Sequence, residues 1–325
     1  MKFKRKQKQI NNIAATPDAI LSGHRSKFNT IKRYMPFYVM FAPVFIYYLI
    51  FAYAPMGGLL MAFKDYNFVD GIFGSPWAGF KHFEKFISNG DFWHVLKNTL
   101  SISFLRILFS FPAPIILALM LHEVKHSGYK RFIQTATYLP HFISWVVVYG
   151  ILYNFFSLDG VINQIRALFG AEPVSYLGLK DYYRGLYVGS AIWKEIGWSA
   201  IIYLAALSGV DAQLYEAADI DGVNRWQKVW YITLPSIRSI ISVQLILTFG
   251  QVLNVGFEQV LVMYNAVVSE VAETLDYYIY RVGLLQANNY GYATAVGMFR
   301  GVVSLIFVMI TNYLSNKVDE DGGIW

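Results

Sequence analysis

The segment Glu216–Pro235, EAADIDGVNRWQKVWYITLP, is a short polar stretch between two long apolar runs of the sequence. Its first part predicts a helix, because Asp211 can cap the helix start with its side chain and Asp221-Gly222 supplies a stop signal. The glycine allows the backbone to turn in the left-handed conformation at little steric cost. A rigid helix followed by a turn indicates a surface that another protein can contact.

Small side chains characterise the first helix of this segment. Ala217 and Ala218 are strong helix formers with little bulk, so a partner protein can approach their face closely. A second short helix is expected from Asn224 to Trp230, and Pro235 suits the first turn of the membrane helix that follows. We therefore expect a helix–turn–helix at one end of a membrane-spanning bundle.

The composition of the whole chain is that of a membrane protein. The 325 residues are 56% hydrophobic and only 15% charged, with a mean hydropathy of +0.39. A soluble domain carries about a quarter charged residues, so the class is a polytopic membrane protein. The chain has no cysteine, which excludes disulfides, thiolate metal sites and cysteine nucleophiles.

Six apolar runs are long enough to cross a bilayer as helices. The sequence therefore predicts an all-α polytopic membrane protein with six transmembrane helices. The expected spans are Tyr34–Phe63, Asn98–Leu121, Leu139–Phe156, Leu186–Val210, Ser236–Phe257 and Tyr292–Leu314.

The distribution of Lys and Arg between the loops predicts the orientation. Nine of the 27 basic residues fall in residues 1–33; with the N-terminus inside, the inner segments hold 16 and the outer segments eight. This bias places both termini and the loop 211–235 in the cytoplasm. We interpret 1–33 as a basic tail beside anionic lipid rather than a nucleic-acid arm, 34–316 as one membrane domain and 317–325 as a C-terminal tail.

One motif suggests an alternative, an intramembrane zinc protease. The sequence HEVKH at 122–126 matches H-E-x-x-H, in which two histidines one turn apart bind zinc. Leu158-Asp159-Gly160 resembles the motif that donates a third ligand in such proteases. A predicted helix of about 18 residues, hence roughly 27 Å long, separates the two motifs. They cannot share an ion whose ligands lie at about 2 Å, so we predict no metal site.

Signals for other catalytic functions are missing from the sequence. It contains no G-x-S-x-G, no phosphate loop of the form G-x-x-x-x-G-K-[ST] and no acidic calcium loop. We predict no catalytic residue in this chain. If ATP drives the protein, a separate chain must bind it.

The opening segment follows the pattern E-A-A, three residues, G, nine residues, I-x-L-P. It resembles the EAA loop of type I ABC importer permeases, the membrane subunits served by an extracellular solute-binding protein. The matching positions are Glu216, Ala217, Ala218, Gly222, Ile232, Leu234 and Pro235.

The resemblance extends over about 34–317 and is specific to the carbohydrate branch. It is carried by YLPHFISWVV at 138–147, IWKEIGWSAIIYLAALSGVD at 192–211 and DYYIYRVGL at 276–284. These segments are similar to the polysaccharide and complex-oligosaccharide permeases labelled LplB-like.

The resemblance implies the MetI-like permease fold, a cell-membrane location and a multi-subunit assembly. It implies a second homologous permease, two ABC ATPase subunits that bind ATP and Mg²⁺, a solute-binding protein and an oligosaccharide substrate imported by alternating access. This chain itself would bind no cofactor and no nucleic acid. Residues expected to couple to the ATPase are Glu216, Ala217, Ala218, Asp221 and Gly222; those expected to anchor the loop are Ile232, Leu234 and Pro235.

Polar residues inside the expected spans are candidates for the solute path. Glu195 and Trp198 are three apart on a helix and offer a carboxylate beside an indole. Gln251, Asn254 and Glu258 recur at intervals of three and four and predict one polar stripe along the fifth span.

Purely structural interpretations of these polar residues are the alternative. Lys194 can neutralise Glu195, and the stripe can form interhelical hydrogen bonds. Arg106 and Arg300 are interpreted as structural, at a subunit interface or near an acidic partner. The leading hypothesis is an oligosaccharide permease; the alternatives are the zinc protease and a secondary transporter, which no inverted repeat or broken helix pair supports.

Overall fold

We describe a computed structural model of the chain, in which residues 34–286 and 289–318, with 32 and 323, are placed. These residues form helices and no β-strand, with an isolated antiparallel bridge between Lys64 and Trp77. The predicted tails, 1–33 and 317–325, lie largely outside the described residues. The chain divides into two compact units, Met1–Leu59 and Leu60–Trp325.

Helix α1 of the first unit spans Met35–Tyr48 and continues through a π-turn, Leu49–Tyr53, into the 3₁₀ segment Ala54–Phe63. No side chain of α1 is buried. A helix that is apolar all round is suited to a membrane span.

The helices of the second unit follow one another with short connections. They are α2 (Gly71–Gly74), α3 (Lys81–Ile87), α4 (Gly90–Leu105), α5 (Pro112–Glu123), α6 (Ser127–Tyr138), α7 (Trp145–Phe156), α8 (Val161–Leu168), α9 (Lys180–Ser208), α10 (Ala212–Ile220), α11 (Arg225–Lys228), α12 (Leu234–Ser236), α13 (Arg238–Gly250), α14 (Phe257–Met263), α15 (Ser269–Ala272), α16 (Leu275–Tyr280) and α17 (Tyr290–Val318). π-Turns join α4 to α5 at Arg106–Ser110 and α11 to α12 at Val229–Thr233.

Four helical runs of the described residues are long and apolar enough to cross a membrane. They are Met35–Phe63, Gly90–Glu123, Trp145–Leu168 and Tyr290–Lys317. The bent pair Arg225–Ser236 and Arg238–Gly250, with 66° between its halves, would be a fifth. Helix α9 is not among them, although it has 29 residues, and it carries Lys194 and Glu195 in its middle.

Two predicted spans have wrong boundaries. The third was expected from Leu139, but Leu139–Phe142 is a 3₁₀ turn and α7 starts after Ser144, whose hydroxyl accepts from the Val147 amide. The fifth was expected over 236–257, but α13 covers only Arg238–Gly250.

The chain leaves the helical path between Gln251 and Gly256, where Gly256 has a φ of +98°. Side chains of other helices satisfy two of the backbone carbonyls in this break. Ser103 donates to the Val252 carbonyl, and both Arg106 and Tyr187 donate to the Val255 carbonyl. Backbone polar groups at membrane depth need such partners. The expected fifth span is therefore not one continuous helix as far as residue 257.

Helix α9 is in close contact with the neighbouring backbone at its centre. An atom added at Cβ of Gly197 would lie 2.2 Å from the carbonyl oxygen of Thr137 in α6. At the first residue of α9, Lys180 pairs with Glu270, and this hydrogen bond lowers the pKa of the Glu270 carboxyl. Gly197 therefore fixes how closely α9 packs on α6.

We expect Gly197→Ala to destabilise the protein by about 1–3 kcal/mol through overpacking. The matched control is Gly189→Ala in the same helix, where the added methyl group meets nothing within 4 Å. Thermal unfolding of the purified chain in detergent is the measurement. A lower Tm is expected for Gly197→Ala alone, and equal Tm values for the two variants would contradict the close packing.

Candidate functional site

A cavity of about 640 Å³ lies between the α4–α5 run, α9 and the end of α13. Its wall includes four of the five residues predicted for the solute path, Glu195, Trp198, Gln251 and Asn254. The fifth, Glu258, is exposed on α14 and is not part of the wall.

The predicted polar stripe does not exist as one helix face. Helix α13 ends at Gly250, so Gln251 and Asn254 lie in the break and Glu258 in the next helix. Within the break, the Asn254 side-chain amide donates to Oε1 of Gln251 over 2.9 Å. Gln251 and Asn254 line the cavity because the chain leaves the helix after Gly250, and not because of helical spacing.

His141 joins Glu195 and Trp198 into one cluster, and sequence reasoning missed it. Its Nδ1 lies 2.7 Å from Glu195 Oε2, and its ring stacks on the Trp198 indole with 4.4 Å between centroids and 1° between planes. The only sequence signal for its role was a polar residue within an apolar run; in the structure it lies in the 3₁₀ turn Leu139–Phe142 after α6. The His141 imidazole therefore contacts both the Glu195 carboxylate and the Trp198 indole.

Lys194 supports this cluster from inside the protein. It is 5% exposed, its Nζ donates to the His141 carbonyl over 2.5 Å, and it lies 3.4 Å from Glu195 Oε1. The local pairing of Lys194 with Glu195 is therefore present. Of the two arginines interpreted as structural, Arg300 pairs with Asp276 of α16, whereas Arg106 lines the cavity.

The second candidate site is the loop from Asp211 to Pro235. Helix α10 starts at the Asp211 cap, whose carboxylate accepts from the Gln213 amide over 2.9 Å. It ends where Gly222 takes a φ of +73° and the Val223 amide donates to the Ala218 carbonyl over 2.9 Å. The helix, its cap and its glycine turn are confirmed.

The second half of this loop is one helical segment, Arg225–Ser236. Helix α11 begins with a capping box, in which Asn224 and Gln227 each accept from the other's backbone amide. This segment runs from α11 through the π-turn into α12. Pro235 therefore belongs to the loop and precedes the 66° bend to α13. The prediction that Pro235 opens the next membrane helix was wrong, because that helix starts at Arg238.

The two halves of the loop are tied together by side chains. The Tyr215 hydroxyl lies 3.0 Å from the hydroxyl of buried Thr233, and Lys228 pairs with Asp219. A groove of about 560 Å³ runs between the halves, and its wall includes Ala217, Ala218 and Gly222.

Most of the predicted coupling residues are exposed on this loop. Glu216, Ala217, Asp221 and Gly222 are exposed, whereas Ala218 is only 6% exposed and its small side chain lets the two halves pack. Three large apolar side chains beside them, Ile220, Trp226 and Tyr231, are 88%, 76% and 79% exposed. The loop therefore exposes large apolar side chains as well as most of the predicted coupling residues.

Comparison with known proteins identifies the family. The family described as binding-protein-dependent transport system inner membrane component matches residues 110–320. The chain belongs to this family. It is therefore an inner-membrane component of a binding-protein-dependent transport system, and its family is one of transport subunits rather than enzymes.

Two similar proteins come from Bacillus subtilis (strain 168). Protein LplB is 47% identical over 293 residues, which is 90% of this chain and 92% of the relative. The polygalacturonan/rhamnogalacturonan transport system permease protein YteP is 46% identical over 286 residues, 88% of this chain and 89% of the relative.

The same family is represented by similar solved structures. A bacterial ABC transporter involved in the import of the acidic polysaccharide alginate matches with a TM-score of 0.83 and 42% identity, covering 90% of this chain and 99% of that one. A bacterial alginate ABC transporter in complex with an alginate pentasaccharide-bound periplasmic protein matches with a TM-score of 0.82. This permease therefore has the MetI-like fold.

The HEVKH segment of this permease does not have the geometry of a zinc protease. Helix α5 ends at Glu123, and His126 is the N-cap of α6, so the two histidines are not on one helical turn. Nδ1 of His126 accepts from the Tyr129 amide over 3.1 Å. In the described part of the chain, no group of three or more His, Cys, Asp or Glu side chains could hold a metal. The protease hypothesis is not supported.

We expect the double variant His122→Ala, His126→Asn to transport at the rate of the unmodified permease within about twofold. Asparagine retains the cap of α6, whereas the comparison variant His126→Ala removes it and should cost about 1 kcal/mol of stability. Uptake into proteoliposomes and zinc analysis of the purified chain are the measurements. Loss of bound zinc together with loss of uptake in the double variant would contradict a capping role.

Proposed function

We propose that this chain is the transmembrane permease subunit of an ATP-driven ABC importer for an oligosaccharide or polysaccharide fragment. An extracellular solute-binding protein would deliver the sugar, and the permease would pass it inward by alternating access. The observation that carries the proposal is the cavity whose wall contains Glu195 and Trp198, each in contact with His141. The name of the similar protein YteP, a polygalacturonan/rhamnogalacturonan transport system permease protein, agrees with it.

The chemistry of this wall suits a sugar. Hydroxyl groups need hydrogen-bond partners, which the Glu195 carboxylate and the side-chain amides of Gln251 and Asn254 can supply. The apolar face of a pyranose can lie against an indole, and Trp198 is 45% exposed at the cavity. Ligand sites of this kind combine apolar walls with a few placed polar groups, and about 640 Å³ is within their usual size.

We propose the topology that the charge distribution predicts. Six spans would leave both termini and the loop 211–235 in the cytoplasm, with 34–316 as the permease domain between a basic tail, 1–33, and a short tail, 317–325. Helix α9 would be the fourth span; its two central charges are paired with each other, which lowers the cost of placing them in a bilayer.

The motion of the ATPase subunits would reach the permease through the exposed surface of the loop 211–235. Helix α10 would dock in a cleft of one ABC ATPase subunit, with Glu216 facing a basic residue of that partner and Gly222 setting the turn. ATP and Mg²⁺ would bind to the ATPase pair, which explains why this chain carries no nucleotide motif. A second homologous permease would complete the membrane path.

The anchoring residues Ile232, Leu234 and Pro235 would carry the motion onward. Leu234 and Pro235 lie in α12, directly before the 66° bend to α13, and Ile232 lines the loop groove. A displacement of α10 would therefore turn α13 as well as α9.

Replacement of the cavity indole tests the substrate path. We expect Trp198→Ala to reduce sugar uptake about tenfold, since a stacking contact of 1.4 kcal/mol corresponds to that factor. The matched control is Trp193→Ala, in the same helix and equally 45% exposed, but outside the cavity wall. Uptake of labelled oligosaccharide into proteoliposomes is the measurement. Equal losses in both variants would argue against a path along Trp198.

Two equivalent glycines test the coupling role of the loop. Gly222 and Gly170 have φ values of +73° and +71° and donate their amides to the last turn of a helix. Proline, with φ near −65°, disrupts both turns equally. We expect Gly222→Pro to abolish sugar-stimulated ATP hydrolysis and Gly170→Pro to leave it largely intact, with normal membrane insertion in each case. Intact stimulation in Gly222→Pro would refute the coupling role.

A further inference from the structure

The charges that line the cavity do not balance. Its wall contains two charged residues, Arg106 and Glu195. Glu195 already has a cationic partner, because Lys194 Nζ lies 3.4 Å from its Oε1, and His141 Nδ1 lies 2.7 Å from its Oε2. The cation of Arg106 is therefore the charge that the cavity offers to a ligand.

Arg106 has no acidic partner among the residues that the structure describes. Its Nη1 donates to the backbone carbonyl of Val255. That carbonyl does not require a cation, since the hydroxyl of Tyr187 donates to it as well. A charged side chain at membrane depth is costly, and where it persists it marks a functional site.

The local backbone places Arg106 in the wall. It is the first residue of the π-turn Arg106–Ser110, and single π-turns inside helices are frequent at functional sites. Ser110, the last residue of this turn, also lines the cavity, and its buried hydroxyl has no partner among the described residues. The π-turn therefore places the Arg106 guanidinium and the Ser110 hydroxyl at the same cavity.

A guanidinium group selects for carboxylates. It has five N–H donors in a planar fork that matches the two oxygens of a carboxylate, and the bond to Val255 occupies one nitrogen. A neutral sugar would leave this charge unpaired, whereas a uronic acid unit would pair with it.

We propose that Arg106 binds the carboxylate of a uronic acid unit, so that the permease selects acidic over neutral oligosaccharides. This inference rests on the proposed sugar-import function. It assigns Glu195 and Trp198 to the hydroxyl groups and the ring face of the sugar and assigns Arg106 to its acid group.

The experiment uses the complete transporter in proteoliposomes with its solute-binding protein. The probes are short oligogalacturonates and alginate oligosaccharides, each compared with its carboxyl-reduced, neutral counterpart after both forms are shown to load the binding protein. The variants are Arg106→Gln, Arg106→Lys and the control Lys97→Gln. Lys97 is an exposed cation in α4 that does not line this cavity, so the control removes the same charge from the same helical run.

The unmodified transporter should take up the acidic sugar at least about tenfold faster than the neutral one, the ratio expected from a charge-assisted hydrogen bond. Arg106→Gln should lose this preference and Arg106→Lys should retain part of it, while Lys97→Gln leaves it unchanged. Assembly with the partner subunits is checked by co-purification.

Three results would overturn the inference. The first is equal uptake of acidic and neutral sugars by the unmodified transporter, a comparison that needs no variant. The second is an unchanged preference in Arg106→Gln. The third is an equal loss for both sugars in that variant, which would limit the role of Arg106 to its structural bond with the Val255 carbonyl. Uptake of neutral sugars alone would refute the inference and leave sugar import standing, whereas uptake of no sugar by the unmodified transporter would refute the proposed function itself.

Discussion

Backbone hydrogen bonding at the break between α13 and α14 determines where the cavity forms. Between Gln251 and Gly256 the chain gives up helical hydrogen bonds, and in a bilayer those carbonyls must find other donors. Ser103 and Arg106 from the α4–α5 run and Tyr187 from α9 supply them. The same three bonds hold the two helical runs against the break. The cavity is the space between the α4–α5 run, α9 and the end of α13, which these bonds hold in place.

Helix α9 connects this cavity to the loop. Its 29 residues extend about 43 Å at 1.5 Å per residue. Glu195 and Trp198 lie in its middle, and its last residue, Ser208, is followed within three residues by the cap of α10. Close packing of Gly197 on Thr137 leaves α9 little freedom to slide against α6. Helix α9 is therefore one continuous element between the cavity wall and the loop.

Local signals in the sequence were sufficient for the loop and insufficient for the cavity. Caps and a glycine stop act over a few residues, so α10 and its turn were predicted. His141 contacts Glu195 across 54 residues of sequence, which no local pattern encodes. The apolar run continues past Gly250, so the break was missed, and the position of Pro235 depends on a bend that packing sets. Arg106 was assigned a structural role because its place in the cavity wall depends on the fold.

The central claim is that the loop controls access to the cavity. The chain contains no cysteine, so Ser199→Cys places a single thiol in the cavity wall, where Ser199 lies. The measurement is the rate at which a membrane-impermeant maleimide modifies this thiol from outside, in transporter with loaded binding protein, with and without ATP and vanadate. Our account expects nucleotide to raise this rate at least about tenfold, which corresponds to a population shift of 1.4 kcal/mol, and expects Gly222→Pro to remove the increase. A rate that does not respond to nucleotide, or an increase that survives Gly222→Pro, would contradict it.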